Sequence, residues 1–194
     1  MRSRPLSDCK RGACRHTHCG VEVNDSARVF LLLLDMFEDE RINAGEHLTV
    51  AEAMLDPSGP CDVAEVLWDA FGIDATGTRG SGHKVFDWRE DAGRIRSSLR
   101  MVYGIDWDEI GGTTAFSDVC DLLCGITEAG SESPFKEALY YRTAEPPVEV
   151  KGNSAYCEAW HANREHYQLS GMPLEYDESD PYGDELLRRL STHG

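Results

Sequence analysis

The stretch from Phe86 to Arg142 restricts the fold more than any other part of the chain, because it carries three helix patterns in succession. In the first pattern, apolar side chains recur at steps of three and four residues and so share one face of a helix. These residues are Trp88, Ala92, Ile95, Leu99 and Val102. Asp87 stands where an N-cap belongs, and Gly104 follows the last periodic residue, where a left-handed cap is usual. We therefore predict a helix between these two caps.

The other two patterns in this stretch predict two more helices. The second helix has an apolar stripe that stops near Gly125 and consists of Phe116, Val119, Cys120 and Leu123. The third begins with Ser133 as its cap and Pro134 at its first position, where the missing N–H of proline removes no helical hydrogen bond. Together the three helices predict a compact helical unit.

A strongly apolar segment, DSARVFLLLLDMFEDER, begins at Asp25 and predicts the first long helix. Apolar residues occur on most sides of this helix and not only on one stripe. Such a helix is normally central in its bundle, or part of its surface meets a partner. We therefore take four of these residues as candidates for partner binding: Val29, Leu32, Leu33 and Met36.

Capping-box spacing predicts two short helices between the first long helix and the central stretch. One begins at Thr49, with Glu52 three residues later, and the other begins at Asp62, with Glu65 three residues later. Each of these caps is followed by apolar residues at helical spacing.

The predicted fold class is all-α: a small bundle of about six or seven short helices, with a flexible arm before it and an acidic tail after it. Residues 20–145 form the helical core and include a Gly/Ser/Thr loop at 73–84. Residues 146–170 form a linker and a docking helix that runs from Ser154 to Gln168. Residues 171–194 are acidic and interrupted by Pro and Gly, which is typical of a disordered tail.

Residues 1–19 differ from the rest because they are net basic and lack hydrophobic periodicity, so we predict a flexible arm. Five side chains in this arm are candidate metal ligands: Cys9, Cys14, His16, His18 and Cys19. Structural zinc sites favour closely spaced cysteine pairs with a second pair at a distance, and no clear second pair follows here. We therefore expect no metal, and a small zinc-binding regulatory protein remains an alternative.

The charge of the chain argues against nucleic-acid binding, because the formal net charge is −16 and phosphate binding depends on Lys and Arg. The longest apolar run, from Val29 to Leu34, is far shorter than the ~20 residues of a membrane span. The basic first residues lead into no apolar segment of a signal peptide. Seven cysteines are an odd number, which favours free thiols in a reducing, cytoplasmic setting.

Groups that could support catalysis have simpler explanations as structural or solvated residues. Acidic residues are close in sequence at Asp106, Asp108 and Glu109 and again at Glu90 and Asp91, but nothing beside them predicts a perturbed pKa. Cys120 and Cys124 lie one helical turn apart among leucines, as small core residues do. The glycine-rich loop lacks the lysine–hydroxyl pair and the preceding strand of a P-loop. We therefore expect a protein that is not an enzyme and holds no cofactor.

Five segments occur in a characteristic order: GVEVNDSARVFLLLLDMFEDE, DVAEVLWDAFG, FDWREDAGRIRSSLRMVYGIDWDEI, TTAFSDVCDLLCGI and SPFKEALYYR. This succession resembles the core of the bacteriophage gene-product-fifteen family over roughly residues 20–145. The residues that carry the resemblance are Phe86, Asp87, Asp91, Ile95, Tyr103, Gly104, Ile105 and Asp106. The chain departs from the family at Thr114, Ala115 and Phe116, where a Trp-rich helix start is usual, and in its Cys/His-rich arm.

The resemblance implies a tail assembly chaperone of a long-tailed phage or prophage. Such a protein would bind the tape-measure protein in the host bacterial cytoplasm and keep it soluble while tail-tube subunits polymerise. The tail-tube protein is then a second expected partner, and a homo-oligomer is compatible with this role. One alternative is a structural component that stays in the virion, such as a tail-completion or head–tail connector protein.

Overall fold

The computed structural model describes residues 4–77, 85–128, 130 and 132–170. Eight helices and one two-stranded sheet occur within these residues, so the predicted mainly helical fold is confirmed, with one or two more helices than expected. The predicted acidic tail at 171–194 and most of the glycine-rich loop, 78–84, lie outside the described residues.

The elements follow one another in the order hairpin, then eight helices. They are β1 (Arg15–His18), β2 (Val21–Asn24), α1 (Ala27–Phe37), α2 (Ala44–Leu55), α3 (Val63–Phe71), α4 (Ala92–Tyr103), α5 (Trp107–Ile110), α6 (Phe116–Glu128), α7 (Pro134–Thr143) and α8 (Ser154–Tyr167).

The N-terminal segment packs on the helices, which differs from the predicted flexible arm. Leu6 is only 2% exposed, and its carbonyl oxygen accepts a hydrogen bond from the Trp107 indole at 2.8 Å. β1 pairs with β2 in antiparallel register, and the predicted boundary after residue 19 falls inside their two-residue turn. Both turn residues, Cys19 and Gly20, have positive φ angles of 50° and 85°, as a tight hairpin requires.

The core is built around α1, which packs against α2 on one side and α6 on another. Phe30 of α1 lies in an aromatic cluster, with ring centroids 3.7 Å from Phe116, 5.4 Å from Trp88 and 5.9 Å from Phe71. These rings come from α1, α3, α6 and the turn before α4. The cluster therefore joins segments that are far apart in sequence, and its burial favours the compact fold.

Two helices begin at residues other than the predicted ones. α2 begins at Ala44, five residues before Thr49, and the Asn43 side chain accepts hydrogen bonds from the Gly45 and Glu46 N–H groups. α4 begins at Ala92, because the Asp87 carboxylate caps a separate turn by accepting from the Arg89 and Glu90 N–H groups at 2.7 and 2.8 Å. Local capping, which many polar residues can provide, sets these boundaries.

The predicted docking helix is α8, which ends one residue earlier than expected and packs on α7. Trp160 is 3% exposed, and the stacked rings of Tyr141 and Tyr167 lie 5.5 Å apart between the two helices. The Asn163 amide also donates to the Tyr141 hydroxyl at 2.9 Å. Aromatic contacts with satisfied polar ends thus hold α8 against the bundle.

A buried ion pair connects α4 with α7. Asp91 is fully buried, and Arg142 donates to both of its carboxylate oxygens, at 2.7 and 2.9 Å. Arg94 donates a further hydrogen bond at 2.6 Å, and the Asp87 N–H donates one at 3.1 Å. Burial disfavours the Asp91 carboxylate, but these donors outweigh it and hold the pKa of Asp91 below its ordinary value.

We expect Arg142→Met to lower the free energy of unfolding by about 3–5 kcal/mol at neutral pH, because the Asp91 charge would stay buried without its main partner. Urea denaturation measures this change. Arg89→Met is the matched control, because Arg89 pairs with Asp35 at an exposed site and its loss should cost only about 0–1 kcal/mol.

The pH dependence of this difference checks the cause. Because the pKa of Asp91 is lowered by folding, its contribution is present above the ordinary carboxyl pKa of about 4 and is lost as the pH falls through the folded value. The difference between wild type and Arg142→Met should therefore shrink in acid. Equal destabilisation by Arg142→Met and Arg89→Met would contradict the importance of the buried pair.

Candidate functional site

The structure brings together three of the five candidate metal ligands, for which no metal was expected, and separates the other two. Cys14, His16 and His18 lie in or beside β1, near the start of α1. Cys9 lies elsewhere, packed near Gly111, and Cys19 is exposed in the hairpin turn. A five-ligand site of the predicted composition is therefore not formed by these residues.

An aspartate that the sequence reading missed is the centre of this group. Asp25 is only 3% exposed, and its carboxylate oxygens lie 2.9 and 3.1 Å from His16 Nδ1. His18 Nε2 lies 3.2 Å from one of the same oxygens, and Cys14 Sγ lies 3.9 Å from His16 Nδ1. We call Cys14, His16, His18 and Asp25 the hairpin cluster.

Backbone hydrogen bonds fix the position of Asp25 between β2 and α1. Its N–H donates to the Cys14 carbonyl at 2.9 Å, and its own carbonyl accepts from the Phe116 N–H at 2.9 Å. His16 and His18 are two residues apart on β1 and so project from the same face of the hairpin. The alternation of the strand and the turn into α1 thus bring both imidazoles to one carboxylate.

The electrostatics of the hairpin cluster favour a negative Asp25 beside cationic or polar groups. Burial disfavours the charged carboxylate, yet hydrogen bonds from His18 and His16 outweigh it and lower the pKa of Asp25. The hydrogen bond to Asp25 raises the pKa of His18, whose other ring nitrogen lies 3.0 Å from Asp69. Burial, followed by the nearby Asp25 charge, raises the pKa of the Cys14 thiol.

Three of the four predicted partner-binding residues lie in the core. The exposed fractions of Val29, Leu33 and Met36 are 6%, 0% and 4%, and Leu32 is half-buried. The bundle covers α1 from several directions, so its apolar sides are used for packing inside the molecule. A helix that is apolar on most sides either lies centrally in its bundle or meets a partner. For these three residues the structure shows the central position.

The acidic residues considered for catalysis form ion pairs with nearby cations. Asp108 pairs with Arg4 at 2.6 Å and also with Arg96. Asp106 pairs with Arg100 at 2.8 Å. These pairs connect the N-terminal segment, α4 and α5, which is a structural role.

The helices α2 and α3 combine exposed apolar side chains with an excess of acidic residues. Residues 42–77, which include α2 and α3, contain no Lys or Arg. They contain seven acidic residues: Glu46, Glu52, Asp56, Asp62, Glu65, Asp69 and Asp74. Leu48 of α2 is 40% exposed and Trp68 of α3 is 36% exposed, although both are large and apolar. We call the exposed side chains of these two helices the α2–α3 surface.

The sequence alone contains a signal that marks Trp68 as a candidate interface residue. The apolar stripe of α3 is completed by Val66, Leu67, Ala70 and Phe71, which are all buried. Trp68 lies off this stripe, between Glu65 and Asp69. A large aromatic residue on the polar side of an amphipathic helix is a recognisable candidate for an interface.

No protein-family model matches the chain, and no curated protein or solved structure matches it either. The resemblance to the gene-product-fifteen family therefore remains a prediction from the segments quoted above. None of the helices in the described part of the chain is both long and apolar enough to span a bilayer.

Proposed function

We propose that the protein is a non-catalytic phage tail assembly chaperone that binds the tape-measure protein in the host cytoplasm. In this role it would keep a long helical chain soluble until tail-tube subunits surround it. The proposal combines the family resemblance with the one surface whose chemistry suits such a partner. That surface is the α2–α3 surface, and it is the observation that carries the proposal.

The α2–α3 surface is complementary to a basic amphipathic helix. Leu48 and Trp68 offer apolar contacts, and truncation of a buried interface Trp commonly costs more than 1 kcal/mol of binding free energy. Residues 42–77 contain no Lys or Arg, and their carboxylates would attract Lys and Arg of the partner. Two of these carboxylates already have partners within the chain, because Arg15 pairs with Asp56 and His18 lies 3.0 Å from Asp69. An amphipathic helix with a basic polar face satisfies both requirements.

The residues on which the family resemblance rests have structural roles in this fold. Ile95 is fully buried, and Gly104 ends α4 in the left-handed conformation at φ 69°. The Tyr103 hydroxyl donates to the Leu122 carbonyl at 3.1 Å, and Asp106 caps α5. The resemblance thus rests on residues that shape these helices, while the α2–α3 surface suggests how the protein would recognise its partner.

The alternative is a structural component of the virion, such as a tail-completion or head–tail connector protein. Mass spectrometry of purified particles separates the two roles. A chaperone is expected to be absent from finished particles or present only in trace amounts. Stoichiometric amounts of this chain in them would favour the structural role.

We expect Trp68→Ala, alone and with Leu48→Ala, to weaken tape-measure binding at least about tenfold, because each change removes an exposed apolar contact. The experiment is an affinity pull-down from cells that express the neighbouring phage genes, followed by a titration with the captured tape-measure protein. Raising the salt concentration should also weaken binding, because exposed charges are screened.

Met101→Ala is the control variant, because Met101 is 64% exposed on α4 and carries no proposed contact. It should bind as the wild type does, and all variants should keep the wild-type circular dichroism and melting temperature. Failure of the wild-type chain to capture the tape-measure protein would reject the chaperone proposal. Capture with equal loss in Met101→Ala and Trp68→Ala would reject the proposed surface.

A further inference from the structure

We propose that Cys14, His16 and Asp25 of the hairpin cluster bind one zinc-class divalent cation, with the fourth position open to water. The ligand atoms of these three residues all lie within 4.8 Å of one another. The site is independent of the chaperone proposal, and it contains a ligand from outside the predicted arm. The inference rests on side chains that the fold places together, since Asp25 is eleven residues from Cys14.

Two of the three separations between ligand atoms are close to those of tetrahedral coordination, and the third is at most 4.8 Å. A Zn²⁺ ion with bonds of about 2.0–2.3 Å separates its ligand atoms by roughly 3.3–3.8 Å. The observed separations are 3.9 Å between Cys14 Sγ and His16 Nδ1, and 2.9 Å between His16 Nδ1 and the nearer Asp25 oxygen. Side-chain adjustments of a few tenths of an ångström would bring both distances into this range.

The set of ligand types favours zinc over magnesium or calcium. One thiolate, one imidazole and one carboxylate are soft and borderline ligands, whereas magnesium and calcium prefer oxygen alone. Cys14 must give up its thiol proton to solvent when the metal binds, so binding depends on pH. The bound ion then neutralises two negative ligands, one of which is the buried Asp25 carboxylate.

His18 is a positioning residue for this site. Its Nδ1 lies 3.0 Å from Asp69, and its Nε2 lies 3.2 Å from the Asp25 carboxylate. An imidazolium can donate to both carboxylates at once, which would hold Asp25 in place for the metal. Hydrogen bonds to a ligating carboxylate of this kind commonly orient metal ligands in proteins.

The proposed ligands differ strongly in their exposure to solvent. The His16 side chain is 56% exposed, while the Asp25 side chain is 5% exposed. A metal ion could therefore enter past His16 and reach the carboxylate of Asp25, a residue whose backbone is held by hydrogen bonds to Cys14 and Phe116. The rigid position of Asp25 lowers the cost of organising the site.

The test uses the full-length, tag-free chain after removal of metals with a chelator. Titration with Zn²⁺ in competition with a chromophoric chelator should give one metal per chain. Titration with Co²⁺ should give a thiolate-to-cobalt charge-transfer band and the intense visible bands of tetrahedral coordination. Cys14→Ser should abolish the charge-transfer band, and both Cys14→Ser and His16→Ala should weaken Zn²⁺ binding at least about tenfold.

Cys19→Ser is the matched control, because Cys19 is exposed in the same hairpin and lies outside the proposed ligand set. It should keep the stoichiometry, the affinity and the cobalt spectrum of the wild type. Zn²⁺ should also raise the melting temperature of the wild type and of Cys19→Ser but not of Cys14→Ser. Absence of stoichiometric binding, or equal losses in the two cysteine variants, would overturn the proposal.

Discussion

The carboxylate of Asp91 has no exposed surface, so its charge must be compensated inside the fold. Arg142 provides most of this compensation, and its guanidinium also bonds groups other than this carboxylate. It also donates to the Val85 carbonyl at 3.2 Å and to the Tyr167 carbonyl at 2.5 Å. One cation thus holds the turn before α4, the end of α7 and the end of α8 at a single point, and the arrangement of these helices depends on it.

The remaining architecture surrounds α1, and this central position explains where the candidate sites lie. Arg89, in the turn before α4, reaches Asp35 and Glu38 near the end of α1, while the hairpin precedes its start. Most apolar side chains of α1 are buried inside the molecule, and Leu32 is half-buried. Large exposed apolar side chains occur on other elements, including Leu48 on α2 and Trp68 on α3, and the cluster of ionisable groups lies where the hairpin leads into α1.

The helical class and the cap residues Ser133 and Gly104 follow from local sequence patterns. Periodicity and caps are properties of a few neighbouring residues, so they can be read without a structure. The packing of the N-terminal segment could not be predicted in this way. Leu6 is buried at a place where its carbonyl accepts a hydrogen bond from the distant Trp107. β1 has few apolar residues of its own and forms by pairing with β2.

The candidate sites were predictable only in part, because they also depend on contacts between residues that are distant in sequence. Cys14, His16 and His18 stand out by composition, but Asp25 reads as an ordinary residue before a helix until β2 turns it towards the histidines. The choice between a central helix and a partner-binding helix for α1 also required knowledge of what packs around it. Trp68 was visible as an aromatic residue off its stripe, yet its exposure depends on the neighbours of α3.

The central claim is that this bundle binds another polypeptide through the α2–α3 surface. Hydrogen–deuterium exchange of the full chain, with and without the tape-measure protein, tests this claim most directly, because it reports protection along the whole backbone. Binding should slow exchange in peptides that cover 44–55 and 63–71 and leave those that cover 154–167 unchanged. Protection confined to α8 or to the hairpin, with unchanged exchange in α2 and α3, would contradict it.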